Sequence, residues 1–367
     1  MRRSLLPFVL PAFALFFACS ELRVADEAAD AGTGSEEPDA DEADADDGAP
    51  DGAARAKDGG GKDASTPKDS GAKDSAPPPP TCDGPCPPEE LATGLKQATA
   101  LAVDANNIYF AVEGSPANGA VYQCPKTGCV GAPILLGGGY ATGIVVAGGA
   151  VYWGDFFSGK VVSCAVGGCS NAPSAVVSNQ PSIKGVFTDG VDLFWSTNGA
   201  IRRCPQATCS DATVAGIVTG QGLIVSIAAE QGKVLWASSG SIQSCAVGPC
   251  PSPIALGPGA ADVSIHAGVA YWVTSSKTVV RCPLGGCNGK PLTVGSSQAP
   301  RVPVSDGTSV YWRDELFDQI YRCPAIGCTP GLEILAYGQR MQSGGQIALD
   351  GQYVYWTNTS GVYRLLK

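Results

Sequence analysis

The chain of 367 residues carries 34 acidic and 24 basic side chains, a formal net charge of −10, with 15 cysteines, one histidine and 2 methionines. A single histidine argues against histidine-based metal chemistry, and so many cysteines argue against an ordinary cytosolic enzyme. Residues 20–81 hold 17 acids and 6 bases, whereas residues 82–367 hold 17 acids and 16 bases; a near-neutral folded portion lacks the basic footprint that nucleic-acid binding needs.

Arg2 and Arg3 precede an apolar run over 5–18. That is the layout and length of a signal peptide and is short for a membrane-spanning helix. The run ends in Ala18 and Cys19, with polar Ser20 directly after. A small residue before a cysteine at this boundary resembles the lipobox of bacterial lipoproteins. The resemblance implies that 1–19 is a signal peptide with lipobox, that the chain is cut before Cys19, and that the Cys19 thiol carries lipid. A plain secretory signal is the other reading of the same residues. Setting Cys19 aside leaves an even number of cysteines, 14. Each buried lipid CH2 contributes about 0.8 kcal/mol, so several chains on one residue would anchor firmly.

Residues 20–81 are built from Ala, Asp, Glu, Gly, Lys, Ser and Pro, with no branched aliphatic or aromatic residue after Val24. Such a segment buries too little apolar surface to offset the entropy of ordering, so a disordered tether is expected. A flexible coil of this length spans roughly 45 Å. Pro77 to Pro80 stiffen its end into polyproline II. The other reading of its acidic half is a site for calcium or a basic partner.

Residues 82–367 form a repeat. Tyr109-Phe110, Tyr152-Trp153, Phe194-Trp195, Leu235-Trp236, Tyr271-Trp272, Tyr311-Trp312 and Tyr355-Trp356 follow one another at steps of 43, 42, 41, 36, 40 and 44 residues. Five residues before the first ring stands Asp104, Asp189, Asp306 or Asp350, with Glu230, Ala147 and His266 in the other copies. Each copy reads as four short strands, a to d, at the period of a β-propeller blade. Successive strand residues point to opposite faces, so the two positions of each pair should pack toward different neighbouring blades. The fold expected is an all-β, seven-bladed propeller with four-stranded antiparallel blades. The seventh copy stops after strand c, where Leu365 stands in place of a cysteine. Residues near Glu89 should therefore supply the missing strand and close the ring, removing a free edge. The aromatic-pair repeat, closest in Tyr355-Trp356-Thr357-Asn358 after Ile347-Ala348-Leu349-Asp350, resembles the YWTD repeat of the low-density-lipoprotein-receptor propellers.

A C-x4-C pattern ends strand c in six copies: Cys124/Cys129, Cys164/Cys169, Cys204/Cys209, Cys245/Cys250, Cys282/Cys287 and Cys323/Cys328. Cys82 and Cys86 form a shorter pair before the first strand. Cysteines facing each other across a tight turn suit disulfides in an exported protein, each stapling its own turn locally. Zinc is the rival, but four ligands would need two pairs together, and consecutive pairs belong to different blades.

Blade topology puts the a–b and cysteine c–d turns on one face and the b–c and d–a connections on the other. Function in a rigid scaffold concentrates on variable loops. The binding candidates are Glu113, which opens the longest b–c loop; Asp155, Phe156 and Phe157; Arg313, Asp314, Leu316 and Phe317; and Tyr140, Arg301 and Arg340 on d–a connections. Aromatic and arginine side chains are enriched at binding hot spots; local packing of the rings is the alternative. The inner strands carry only Lys184, Asp262 and Arg301 as charged residues, which suggests no acid pair for catalysis. No motif implies a cofactor or metal. The expected function is a non-enzymatic, lipid-anchored envelope protein, at an outer membrane or cell surface, whose propeller is a recognition or scaffold domain for protein or glycan partners. A propeller hydrolase or lactonase and a purely structural envelope protein are the alternatives.

Overall fold

The computed structural model describes residues 87–113, 119–259, 261–328, 331–341 and 344–367. The expected leader with Cys19, the tether, and the Cys82 and Cys86 pair lie outside the described residues.

Strand β1 (Glu89–Ala92) comes first. Blade 1 is β2 (Ala98–Val103), β3 (Asn107–Val112), β4 (Ala120–Pro125) and β5 (Ile134–Gly138). Blade 2 is β6 (Ala141–Ala147), β7 (Ala150–Asp155), β8 (Lys160–Ala165) and β9 (Ser174–Val177). Blade 3 is β10 (Val186–Thr188), β11 (Asp192–Thr197), β12 (Ala200–Pro205) and β13 (Ala215–Val218). Blade 4 is β14 (Ile224–Glu230), β15 (Lys233–Ser238), β16 (Ser241–Ala246) and β17 (Ile254–Pro258). Blade 5 is β18 (Ala261–His266), β19 (Val269–Val273), β20 (Thr278–Pro283) and β21 (Leu292–Ser296). Blade 6 is β22 (Pro300–Ser305), β23 (Ser309–Asp314), β24 (Gln319–Pro324) and β25 (Glu333–Ala336). Blade 7 is β26 (Ile347–Leu349), β27 (Tyr353–Thr357) and β28 (Val362–Leu366), with β1 as its outer strand.

Every sheet is a four-stranded antiparallel meander, and each inner strand touches the next until β26 meets β2. The chain is a seven-bladed β-propeller. The ring is closed by its own beginning, through Glu89 opposite Arg364 and Ala92 opposite Val362. Leu365 lies opposite Val354, as Cys323 lies opposite Val310.

The cores lie between blades. Tyr109 packs with Trp153 of blade 2, while its neighbour Phe110 packs with Tyr355 of blade 7. The same exchange recurs around the ring: Tyr152 with Trp195, Phe194 with Trp236, Leu235 with Trp272, Tyr271 with Trp312, Tyr311 with Trp356. All six tryptophans are buried. Period-two alternation is the cause, because each pair must send one side chain forward and one back.

Inner strands are also stitched by hydroxyls. Thr142 donates to the Ile183 carbonyl, Ser264 donates to the Pro303 carbonyl, and Ser226 accepts from the Val263 N–H. Strands β10 and β26 are only three residues long, the shortest of the inner strands. Ser182 and Gly185 hold positive φ angles of 56° and 141° before β10, and Gly344 holds 87° before β26, breaking extended geometry at the entrance to each strand.

Candidate functional site

In every blade the first residue after strand c donates its N–H to the a–b turn, as Lys126 does to Asn106 and Gln206 to Val191. This fixes one face. Among the described residues six disulfides lie on it: Cys124–Cys129, Cys164–Cys169, Cys204–Cys209, Cys245–Cys250, Cys282–Cys287 and Cys323–Cys328. Their Cα–Cα distances of 5.1 to 6.2 Å are inside the range a bridge spans without moving backbone.

The pairing is as expected, and each bridge closes its own turn. The second cysteine of each pair also packs at the boundary with the preceding blade. Cys169 lies half-buried against the core between blades 1 and 2, with its Sγ 3.3 Å from the Leu136 carbonyl oxygen. Cys209 lies half-buried against the core between blades 2 and 3. Cys287 lies half-buried against the core between blades 4 and 5, with its Sγ 3.5 Å from the Leu256 carbonyl oxygen. The N–H groups of Cys129, Cys250 and Cys328 donate to the carbonyls of Leu91, Ile217 and Val294, on outer strands of the preceding blades. The physical reason is that strand c sends its cysteine into the gap between blades, and the bridge draws its partner to the same side. Spacing within one copy carries no signal of that second contact.

The acidic a–b turns on this face are consumed structurally. Asp104, Asp306 and Asp350 each accept two backbone N–H groups and a hydroxyl from Tyr109, Tyr311 or Tyr355.

The b–c and d–a connections form the opposite face. On blade 2, Asp155 at the end of β7 accepts from the N–H groups of Tyr140 and Phe157 at 3.3 and 3.2 Å. The Phe156 N–H returns to the Tyr140 carbonyl at 3.1 Å. A side chain at position 139 would run into the Asp155 carboxylate, so the glycine there lets the two connections approach. This scaffold gathers three rings. Tyr140 lies 6.2 Å from Phe156 and 5.4 Å from Phe157, and the two phenylalanines are 5.2 Å apart, all edge to face. That geometry suits ring quadrupoles. The Tyr140 hydroxyl donates to Glu113 at 2.9 Å; burial and that carboxylate push its pKa up. Phe157 stays 55% exposed.

A cleft of about 530 Å³ is lined by Glu113, Tyr140, Thr142, Phe156, Phe157 and Lys184. A second, of about 600 Å³, lies at Phe156, Phe157, Ser158, Gly159, Asn179, Pro181 and Ser182. Thr142 and Lys184 also line the central channel, a cavity of about 350 Å³. Expected candidates Glu113, Tyr140, Phe156 and Phe157 thus come together, with Asp155 bracing the loop that carries two of them. Sequence reasoning placed Lys184 on an inner strand and missed its place in this cleft. The available signal was that 182–184 lie where the chain passes from the loop face into the channel.

Blade 6 corrects two expectations. Arg313 and Asp314, expected on the open face, are both 0% exposed. Asp314 accepts from the N–H groups of Ala299, Leu316 and Phe317. Burial alone would raise its pKa, but those donors outweigh it and hold it down. Burial lowers the Arg313 guanidinium pKa to about 10 against the attraction of Glu315 and Asp262. Arg313 lies 3.5 Å from Glu315, and a side chain at position 345 would collide with its guanidinium. Both residues therefore hold the loop from beneath, while Leu316 (62%) and Phe317 (51%) remain exposed. Arg301 bridges Asp262 at 3.4 Å and Glu315 at 3.3 Å. Arg340 is exposed on a separate connection.

In the channel, Lys184 and Asp262 supply the charged side chains, and Asp262 is already paired with Arg301. Among the described residues no group of three or more His, Cys, Asp or Glu side chains is placed to hold a metal ion.

No protein-family model matches the sequence, and no curated protein matches it. Solved structures share the fold. Virginiamycin B lyase from Staphylococcus aureus superposes with a TM-score of 0.60 at 10% identity, over 76% of this chain and 98% of the lyase. A chain of the mitotic checkpoint complex gives 0.59 at 13% identity, over 82% of this chain and 98% of that one. The computationally designed Ika8 protein gives 0.54 at 12% identity, over 74% and 83%. At these identities the likeness is one of architecture, which hosts both enzymes and binding proteins.

Proposed function

We propose that this chain is an exported, lipid-anchored bacterial envelope protein whose propeller recognises a protein or glycan partner through its loop face, without catalysis. One observation carries the reading. The acidic turns of the disulfide face spend their carboxylates internally, and the opposite face presents Phe157, Leu316 and Phe317 on loops pinned by Asp155 and Asp314. Exposed apolar rings on ordered loops favour association, because little conformational entropy remains to be lost on binding. The disulfides support an oxidising compartment, and the Ala18-Cys19 boundary supports the lipid anchor.

A variant with Phe156, Phe157, Leu316 and Phe317 all changed to Ser tests the reading. Affinity capture of the full chain from cell envelopes, with mass spectrometry, should recover partners that the variant loses while its circular dichroism is unchanged. An identical partner set from both proteins rejects this face.

A further inference from the structure

We propose that the paired clefts astride Phe156 and Phe157 bind an acidic oligosaccharide, with a uronic acid unit in the cleft that contains Lys184. This rests on the loop-face reading above and names its ligand class.

The two clefts share Phe156 and Phe157 as a common wall. An occupant using both must be extended and must present apolar surface where it passes the rings. Sugar rings do this, since a pyranose offers C–H groups on its faces and hydroxyls around its edge. The polar groups fit the same chemistry. On one side Ser158, Asn179 and Ser182 are neutral donors and acceptors suited to sugar hydroxyls. On the other side Glu113 is an acceptor for hydroxyls, already fixed in place by the Tyr140 hydroxyl.

Lys184 assigns the charge. Of the three charged inner-strand residues, Asp262 and Arg301 neutralise each other. Lys184 has no ion-pair partner among the described residues. It is half-buried where the cleft meets the channel, and its backbone is held by the bond to the Ser196 carbonyl at 3.0 Å. A half-buried ammonium beside an apolar platform attracts an anion more strongly than a fully solvated surface lysine does. A carboxylate on a sugar ring meets that requirement while its hydroxyls meet Glu113.

Titration calorimetry on the full chain with the tetrasaccharides of galacturonate and mannuronate, and with neutral cellotetraose, tests this. At least one acidic tetrasaccharide should bind saturably and at least tenfold more tightly than cellotetraose. Lys184→Gln should weaken it about tenfold, and Phe157→Ala should weaken acidic and neutral sugars alike. No saturable binding of either acidic sugar overturns the proposal, as does binding that neither substitution changes. Tetraglutamate binding as tightly as the acidic sugars would overturn the saccharide assignment and leave the loop-face reading standing. Failure of that broader reading shows separately, as an unchanged partner set in the capture experiment.

Discussion

Asp350 shows how one recurring residue holds a turn and joins two blades. Its carboxylate accepts the N–H groups of Gln352 and Tyr353, the Tyr355 hydroxyl at 2.6 Å, and the ammonium of Lys126 from blade 1 at 2.6 Å. Burial alone would raise its pKa, but these donors outweigh it and hold the value at about 2. An unfolded aspartate titrates near about 4. Because the folded pKa is the lower one, the stabilisation is complete above about pH 4 and is lost as pH falls toward 2. Asp104 and Asp306 are shifted in the same direction. Asp350→Asn should therefore lower the unfolding free energy at pH 7 by about 2 kcal/mol. The gap between variant and wild type should narrow toward pH 2. Urea titrations at pH 7, 4 and 2.5 measure both, and a gap independent of pH would contradict the assignment. The aspartate spacing was legible in the sequence because a turn acid and a hydroxyl five residues on recur in register. The Lys126 partner was not, since it comes from another blade.

Strand elements were legible for the same reason: the aromatic pairs mark every strand b and the cysteines end strand c. What stayed hidden was which loop residues face outward. Arg313 and Asp314 look like surface charges in a polar loop, but the cavity that buries them is made by β22, the glycine at 345 and the connection at 299, which no local pattern joins to 313. Trp153 is a second case. Trp195, Trp236, Trp312 and Trp356 donate their indole N–H to Gln180, Gln221, Ser297 and Gln339 on the incoming connection. Blade 2 has glycines at 138 and 139 instead, and the buried Trp153 indole N–H has no hydrogen-bond partner among the described residues. The cysteine turns carry an element-scale prediction. Each closes a loop of six residues, which the chain-entropy relation values at about 2 kcal/mol. Cys250 also holds the outer strand of blade 3 through the Ile217 carbonyl at 2.9 Å. Changing Cys245 and Cys250 together to Ser should cost about 2 kcal/mol or more, and should speed amide hydrogen exchange at β13 as well as β16 and β17. Exchange confined to blade 4 would show that the bridge serves its own hairpin alone.

For the whole ring, the decisive element is four residues long. β1 pairs with β28, Leu91 and Ala92 enter the core between blades 7 and 1, and the Leu91 carbonyl receives Cys129 of blade 1. Arg364 fastens the seam. It bonds Glu89 at 2.6 and 3.0 Å, donates to the Lys126 carbonyl at 2.7 Å, and lies 4.3 Å over the Tyr353 ring. A chain beginning at residue 97 lacks this strand. It would expose the edge of β28 and one side of the core around Phe110 and Tyr355, leaving an unpaired strand that invites association. A chain beginning at Pro77 keeps it and corresponds to a compact unit of its own, Pro77–Lys367. The 77–367 chain should unfold at the same temperature as the full chain and elute as a single species. The 97–367 chain should elute as aggregates or unfold at least 10 °C lower. A synthetic peptide of residues 82–96 should recover part of the loss, because the groove it fills is otherwise complete. Equal melting temperatures for 97–367 and 77–367 would mean that six closed blades and one open one are stable unaided, and that the clasp between the two chain ends contributes nothing measurable.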